Sequence, residues 1–292
     1  MFKVLSKQIL SHDVKRLDVL APDICAKVRP GQFVSVCPFE GDERIPLAVI
    51  DSDKIKKSIV LIFQEVGQTT KKLGEIPINE PIFSILGPLG VPATISKKGI
   101  VVCISTGVGT AQMLPIARAF KNAGNKVIGI IGARTRKSLI LESQMRITCS
   151  KIFITTDDGT YEKKGRPTDV LQALISQHSV DQVYSIGSVD MLEAICQITL
   201  SKNISTYVHL NPVMADCMGM CGSCRVKVGG EMVLACTDGP EFDGHKVDFN
   251  DLKIRMNAFK EIGSCLNLES PLATKQNETG IFKRFLSDIL KK

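Results

Sequence analysis

Apolar and polar residues alternate at two different rhythms along this chain. Over the first hundred residues the apolar positions fall in short runs, at 14–20, 32–37, 47–51, 58–66 and 81–86. Pro30-Gly31, Asp51-Ser52-Asp53 and Gly87-Pro88-Leu89-Gly90 separate some of them. Strands of this length split by turn residues predict a closed antiparallel barrel. From Lys98 the rhythm changes. Residues 99–105 and 126–132 are continuous apolar strands, 152–156 and 182–187 resemble them, and 110–123, 168–177 and 189–200 have helical periodicity. Strands alternating with helices predict a parallel sheet with crossovers. A strand over 224–228, a Gly229-Gly230 turn and a strand over 231–235 follow, then a helix over 252–261 and an amphipathic stretch at 281–290. The expected fold class is a β barrel plus α/β. Four segments result: 1–97 (barrel), 98–208 (α/β domain), 209–250 (a small domain) and 251–292 (helix and tail).

Composition agrees with several domains and narrows the function. The chain has 292 residues, 44 % hydrophobic and 23 % charged, more than one ordinary core requires. Its net charge of +7 is thinly spread and owes part to Lys283-Arg284 and Lys291-Lys292. With 5 % aromatic residues and no basic stripe, nucleic acid is not an expected partner. Residues 1–10 lack the apolar block of a signal peptide, and no apolar stretch nears the roughly 18 residues of a membrane span. A cytoplasmic protein is expected, in which clustered thiols are metal ligands or redox groups rather than disulfides.

Four of the ten cysteines lie in one glycine-rich stretch, Asp216-Cys217-Met218-Gly219-Met220-Cys221-Gly222-Ser223-Cys224 with Cys236. Counted from Asp216 the spacing is Asp-x4-Cys-x2-Cys-x11-Cys, the plant-type two-iron spacing with a carboxylate first. Counted from Cys217 the first ligand is sulfur, one residue out of place. Gly219 and Gly222 let the chain wrap closely around bridging sulfides. The expected ligands of a 2Fe-2S cluster are therefore Asp216, Cys221, Cys224 and Cys236, with Cys217 as the alternative first ligand. The rival is a zinc site of Cys221, Cys224, Cys236 and either Cys217 or His245. Zinc sites usually pair two Cys-x-x-Cys elements, and here there is one.

Gly31-Gln32-Phe33-Val34, Glu43-Arg44-Ile45-Pro46-Leu47, Gly67-Gln68-Thr69-Thr70-Lys71-Lys72-Leu73 and Gly87-Pro88-Leu89-Gly90 resemble the flavin barrel of the ferredoxin reductase superfamily. Gly132-Ala133-Arg134-Thr135, Thr156-Asp157-Asp158-Gly159-Thr160-Tyr161, Cys221-Gly222-Ser223-Cys224-Arg225 and Asp238-Gly239-Pro240-Glu241-Phe242-Asp243-Gly244 resemble one subfamily of it. That subfamily holds the small subunit of NADH-dependent reduced ferredoxin:NADP oxidoreductase, its sulfide dehydrogenase relatives, and the electron-transfer subunit of class B dihydroorotate dehydrogenase. Similar members carry Asp at Asp216, whereas the dihydroorotate branch has Cys there. Cys217 departs from the usual Gly, and Ala48 from the usual Ser or Thr.

The resemblance implies FAD in the barrel, NAD(P)H in the α/β domain and a 2Fe-2S cluster behind them. It implies FAD contacts at Arg44, Pro46, Leu47, Gly67, Thr69 and Thr70. A guanidinium between two strands suits a pyrophosphate, and residues 67–70 offer N–H and hydroxyl donors to the same group. For the nicotinamide nucleotide the candidates are Gly107, Gly109 and Thr110 in a strand-to-helix turn, with Gly132, Arg134, Asp157 and Gly187 at neighbouring strand ends. Ile186-Gly187-Ser188 lacks the thiol of the Cys-Gly-Pro found in related reductases.

The function expected is an NAD(P)H-dependent oxidoreductase subunit that exchanges electrons with a larger flavin and iron–sulfur subunit, with ferredoxin as a further partner. The partner is expected to be of the ferredoxin:NADP oxidoreductase or sulfide dehydrogenase type, the alternative being a dihydroorotate-oxidising subunit. A flavin and iron–sulfur redox sensor without turnover is the alternative from another class. No catalytic acid, base or nucleophile is expected, because the cofactors carry the chemistry. His12, His178, His209 and His245 lie far apart in sequence and read as structural or exposed.

Overall fold

The structure, a computed structural model, describes residues 2–267. Seven antiparallel strands form the first sheet: β1 (Phe2–Ser11), β2 (Val14–Leu20), β3 (Phe33–Cys37), β4 (Ile45–Asp53), β5 (Ser58–Gln64), β6 (Pro81–Ile82) and β7 (Ser84–Leu89). Their order is β6-β1-β2-β5-β4-β3-β7, and the two edge strands are consecutive in sequence, so the sheet curls into a nearly closed barrel. Two helices, α1 (Pro22–Lys27) and α2 (Gln68–Glu75), interrupt the strands. The opening residues, which lack an apolar block, form β1, the long partner of β2.

β5 explains the apolar run at 58–66. Ile59, Leu61 and Phe63 share the barrel core with Leu17, Val34 and Val36. Val60 and Ile62, on the opposite face, join Val14 and Ile50 in a second core containing Ala111, Leu114 and Phe120. A strand buried on both faces cannot alternate with polar residues, which is why this run is continuous. Each such buried side chain contributes roughly 1.5–3 kcal/mol.

The second sheet holds β8 (Ile100–Thr106), β9 (Lys126–Ala133), β10 (Lys151–Thr156), β11 (Lys163–Lys164), β12 (Gln182–Ile186) and β13 (Ser205–His209), all paired in parallel. Its helices are α3 (Gly109–Asn122), α4 (Glu142–Thr148), α5 (Pro167–Gln177) and α6 (Val189–Leu200). Val101, Cys103 and Val127 share a core with residues of α3 and α4, whereas Val102, Ile104, Ile128 and Ile130 share one with residues of α5 and α6. The hairpin of β14 (Arg225–Val228) and β15 (Glu231–Leu234) follows as expected.

β16 (Glu241–Asp243) was not foreseen. It lies in the cysteine-bearing segment yet pairs antiparallel with β13, matching Val208 with Phe242, so it extends the parallel sheet by one edge strand. The full order is β11-β10-β9-β8-β12-β13-β16. Strand order reverses between β8 and β12, and the crevice beyond the carboxyl ends at such a point is where open α/β sheets bind ligands. α7 spans Phe249–Asn267, longer at both ends than the expected helix. The expected amphipathic stretch at 281–290 lies outside the described residues.

Candidate functional site

A cleft of about 890 Å³ opens at that reversal point. Thr106, Gly107, Gly109, Gly132, Arg134, Asp157 and Gly187 all line it, so six of the residues expected at a nucleotide come together. The glycines permit close approach. A Cβ on Gly132 would lie 2.5 Å from Pro167 Cγ and 2.9 Å from Thr106 Cγ2, and one on Gly187 would lie 2.5 Å from Thr106 Oγ1. Gly107 turns the chain with φ at +55°, where glycine is favoured. Thr110 stands apart from the other candidates: it is buried, and its hydroxyl accepts a hydrogen bond from Ser105 Oγ at 3.2 Å.

The two ends of the cleft differ in charge. Arg134, Asp157 and Arg166 line it beside β9 and β10. The Arg136 guanidinium lies 4.9 Å from the centre of the Tyr161 ring. Beside β12 and β13 the lining is Gly187, Ser188, His209 and Asn211, with Asp190 ion-paired to Lys253 at 2.7 Å. Burial pushes the His209 imidazole down to about 4, so the ring is neutral. From the barrel side, Ser11, Asp13, Val14 and Gln64 complete the wall. The Asp13 carboxylate accepts a hydrogen bond from Gln64 Nε2 at 2.5 Å, which holds it below its usual range.

The expected FAD contacts lie outside this cleft, on the barrel. Arg44 donates from Nη2 to Ser84 Oγ at 3.0 Å, while its Nη1 is buried without a partner. A buried guanidinium nitrogen left unpaired is costly, so this site fits an anionic group such as a pyrophosphate. Lys72 of α2 pairs with Asp42, which ties the loop before Arg44 to α2. Gly67 precedes α2 with open space where a Cβ would stand. Its N–H donates to Thr70 Oγ1 at 3.0 Å, and the Thr70 hydroxyl donates back to the Gly67 carbonyl at 2.9 Å. Thr69 is half-buried in the same turn. Leu47 points into the barrel core, whereas Pro46 pairs with Ser35 on the opposite face.

The cysteine loop is organised by Asp216. Its Oδ1 accepts the Met218 N–H at 2.9 Å, and its Oδ2 accepts those of Met220 at 2.9 Å and Cys221 at 2.6 Å. These bonds, led by that from Met218, hold its carboxyl below the usual range. Cys224 and Cys236 are buried, and burial pushes the Cys236 thiol up to about 12. Cys221 is exposed, and its bond to the Ser223 hydroxyl lowers its thiol. Gly219 and Gly222 have φ of +85° and +67°, as a loop that wraps closely around a ligand demands. Among the described residues, no group of three or more His, Cys, Asp or Glu side chains stands in metal-holding geometry. The donor set of three thiols and a carboxylate on a glycine-hinged loop nonetheless has the chemistry of an iron–sulfur site.

Cys217 behaves differently from its neighbours. It is 1 % exposed, its φ is +64°, and its thiol faces the Met214 carbonyl at 3.8 Å. Burial raises its pKa, a shift that the neighbouring Ser35 hydroxyl opposes. A left-handed backbone at this position is the physical reason a glycine suits it. Sequence reasoning missed Arg166, Gln112 and His209 as cleft residues. Only the position of His209 at the end of a segment rich in β-branched and aromatic residues, 204–208, offered any signal.

The chain is similar to several known proteins. Residues 211–248 match the iron–sulfur cluster binding domain of dihydroorotate dehydrogenase B. A Clostridium beijerinckii protein from the adh 3′ region is 36 % identical over 89 % of this chain and 91 % of its own length. The Thermotoga maritima homolog of the dihydroorotate dehydrogenase B (NAD(+)) electron transfer subunit is 35 % identical over 89 % of this chain and 92 % of its own. A chain of the NADH-dependent reduced ferredoxin-NADP oxidoreductase, solved in work on flavin-based electron bifurcation, superposes with a TM-score of 0.85. It is 34 % identical, and the match covers 91 % of this chain and 96 % of that one.

Proposed function

Because the chain belongs to the family of dihydroorotate dehydrogenase B-type electron-transfer subunits, we propose that it passes electrons between NAD(P)H, FAD, a 2Fe-2S cluster and a larger partner subunit. The reading assigns FAD to residues 1–97, NAD(P)H to 98–208 and the cluster to 209–250, with 251–292 as a helix and tail. What carries it is that one compact unit, residues 1–253, joins three fitting sites. These are the unpartnered Arg44 nitrogen, the glycine-lined cleft and the thiol loop.

When bound, the flavin and cluster convert between hydride and single-electron transfer. The chain's own residues bind and orient. Arg44, Gly67, Thr69 and Thr70 would hold the FAD pyrophosphate, with Pro46 and the Leu47 backbone alongside. Gly107, Gly109, Gly132 and Gly187 would let the dinucleotide lie close to the strand ends, with Thr110 bracing the turn from within. Arg134 would meet phosphate charge and Asp157 a ribose. Asp216, Cys221, Cys224 and Cys236 would ligate iron. Asp216 is preferred over Cys217 because the Cys217 thiol faces the Met214 carbonyl while the Asp216 carboxylate lies along the loop.

The partner proposed is a flavin and iron–sulfur subunit of the ferredoxin:NADP oxidoreductase or sulfide dehydrogenase type, with ferredoxin as a further acceptor or donor. A dihydroorotate-oxidising partner is the second reading, favoured by the match of residues 211–248. The nine cysteines whose side chains are described are free, which fits a cytoplasmic setting, and no helix among the described residues is long and apolar enough to cross a membrane. Anaerobic absorption spectroscopy tests the reading. Flavin bands and broad iron–sulfur absorbance that bleach on adding NADH or NADPH are expected, whereas a colourless protein containing zinc would sink it. Mass spectrometry of the native complex then chooses between the two partners.

A further inference from the structure

His209 ends β13, paired with Ile186 on one side and Glu241 on the other. His209 lines the cleft, is only 7 % exposed, and buries its Nδ1 without a protein partner. A buried ring nitrogen without a hydrogen bond is unfavourable, and in a residue that lines a cleft a bound ligand can supply the missing partner. The cleft's polarity says which part of the ligand. Arg134 and Arg166 make the β9–β10 end suited to phosphate, while the β12–β13 end is lined by Gly187, Ser188, His209 and Asn211, and its one charged lining group, Asp190, is ion-paired to Lys253. An end without the arginines of the other, and with an unsatisfied imidazole, suits an amide-bearing ring rather than a phosphate. A neutral imidazole also offers no charge to oppose the positive ring of the oxidised cofactor.

We propose that His209 is a nicotinamide-binding residue, its imidazole hydrogen-bonding the carboxamide of the cofactor held in the cleft. The inference rests on the assignment of NAD(P)H to this cleft and adds which end of the cleft takes the nicotinamide. Asn211 lines the same cleft.

Calorimetric binding to the oxidised, cofactor-loaded complex tests it, using NAD+ and NADP+ alongside ADP-ribose and its 2′-phosphate, which lack the nicotinamide. His209→Ala is expected to weaken binding of the preferred dinucleotide roughly tenfold while leaving the matching ADP-ribose compound unchanged. His209→Asn, whose amide both donates and accepts, is expected to recover most of that loss. Unchanged dinucleotide affinity in His209→Ala overturns the proposal, as does an equal loss for both ligand types, which marks a structural role. If the wild-type complex binds none of the four compounds, the nucleotide assignment of the cleft falls and His209 with it. Wild-type binding with an indifferent His209→Ala rejects the histidine's role alone.

Discussion

The glycine-lined cleft proposed for the nucleotide and the cysteine loop are built on opposite principles. In the cleft, strand ends bonded into one sheet bring Gly107, Gly132 and Gly187 to the same edge. The backbone is held by ladder hydrogen bonds whether or not a ligand is bound. The cysteine loop has no strand between Ala215 and Cys224, and one carboxylate, Asp216, gathers three of its N–H groups. Its thiols point to different surroundings, Cys221 to solvent and Cys224 inward. A site on a sheet edge is organised by topology, whereas a loop site takes its final form from the group it ligates, so that binding energy becomes folding energy.

That contrast can be broken most decisively at the loop. Cys224→Ser is expected to abolish the cluster, with iron falling to near zero and the iron–sulfur absorbance lost, while ADP-ribose binding in the cleft persists. Full iron retention would place Cys224 outside the ligand set. The cleft should instead show itself through pH. His209 is held neutral down to about 4 in the folded chain, against 6.5 for an ordinary histidine. In that window the unfolded chain binds the extra proton, so stability is full above about pH 6.5 and falls as pH drops toward 4, by roughly 3 kcal/mol at most. Denaturant titrations from pH 7 to 4 measure this, and His209→Asn should flatten the profile. An unaltered slope in the variant would assign the pH dependence to other groups.

Gly132→Ala probes the rigidity of the sheet edge. The added methyl meets the Pro167 ring at 2.5 Å. A loss of about 1–3 kcal/mol is expected, together with weaker dinucleotide binding and an unchanged cluster spectrum. Equal stability would mean that the edge yields as easily as a loop. The smallest effect is predicted for Cys217→Gly. Relief of the left-handed backbone offsets the lost burial, so unfolding free energy should move by no more than about 1 kcal/mol, with the EPR signal of the reduced cluster unchanged. An altered signal would make Cys217, not Asp216, the first ligand.

Much of this was legible in the residue pattern. The buried run of β5, the strand and helix rhythm after Lys98 and the spacing from Cys221 to Cys236 are local properties, fixed by neighbours along the chain. α2 was harder, because Gln68-Thr69-Thr70-Lys71-Lys72 is polar and its helix leans on Leu73, buried in the barrel core. β16 was illegible, since three residues become a strand only when β13 offers an open edge.

The periodicity and the cysteine spacing alone determined the classes of domain and the kind of metal centre to expect. Tertiary structure alone decided that six scattered residues share one cleft, that Arg44 and His209 each bury a nitrogen without a partner, and that the Cys217 thiol faces the Met214 carbonyl. The physical reason is that periodicity and spacing belong to adjacent residues, whereas desolvation and hydrogen-bond satisfaction depend on segments far away in sequence.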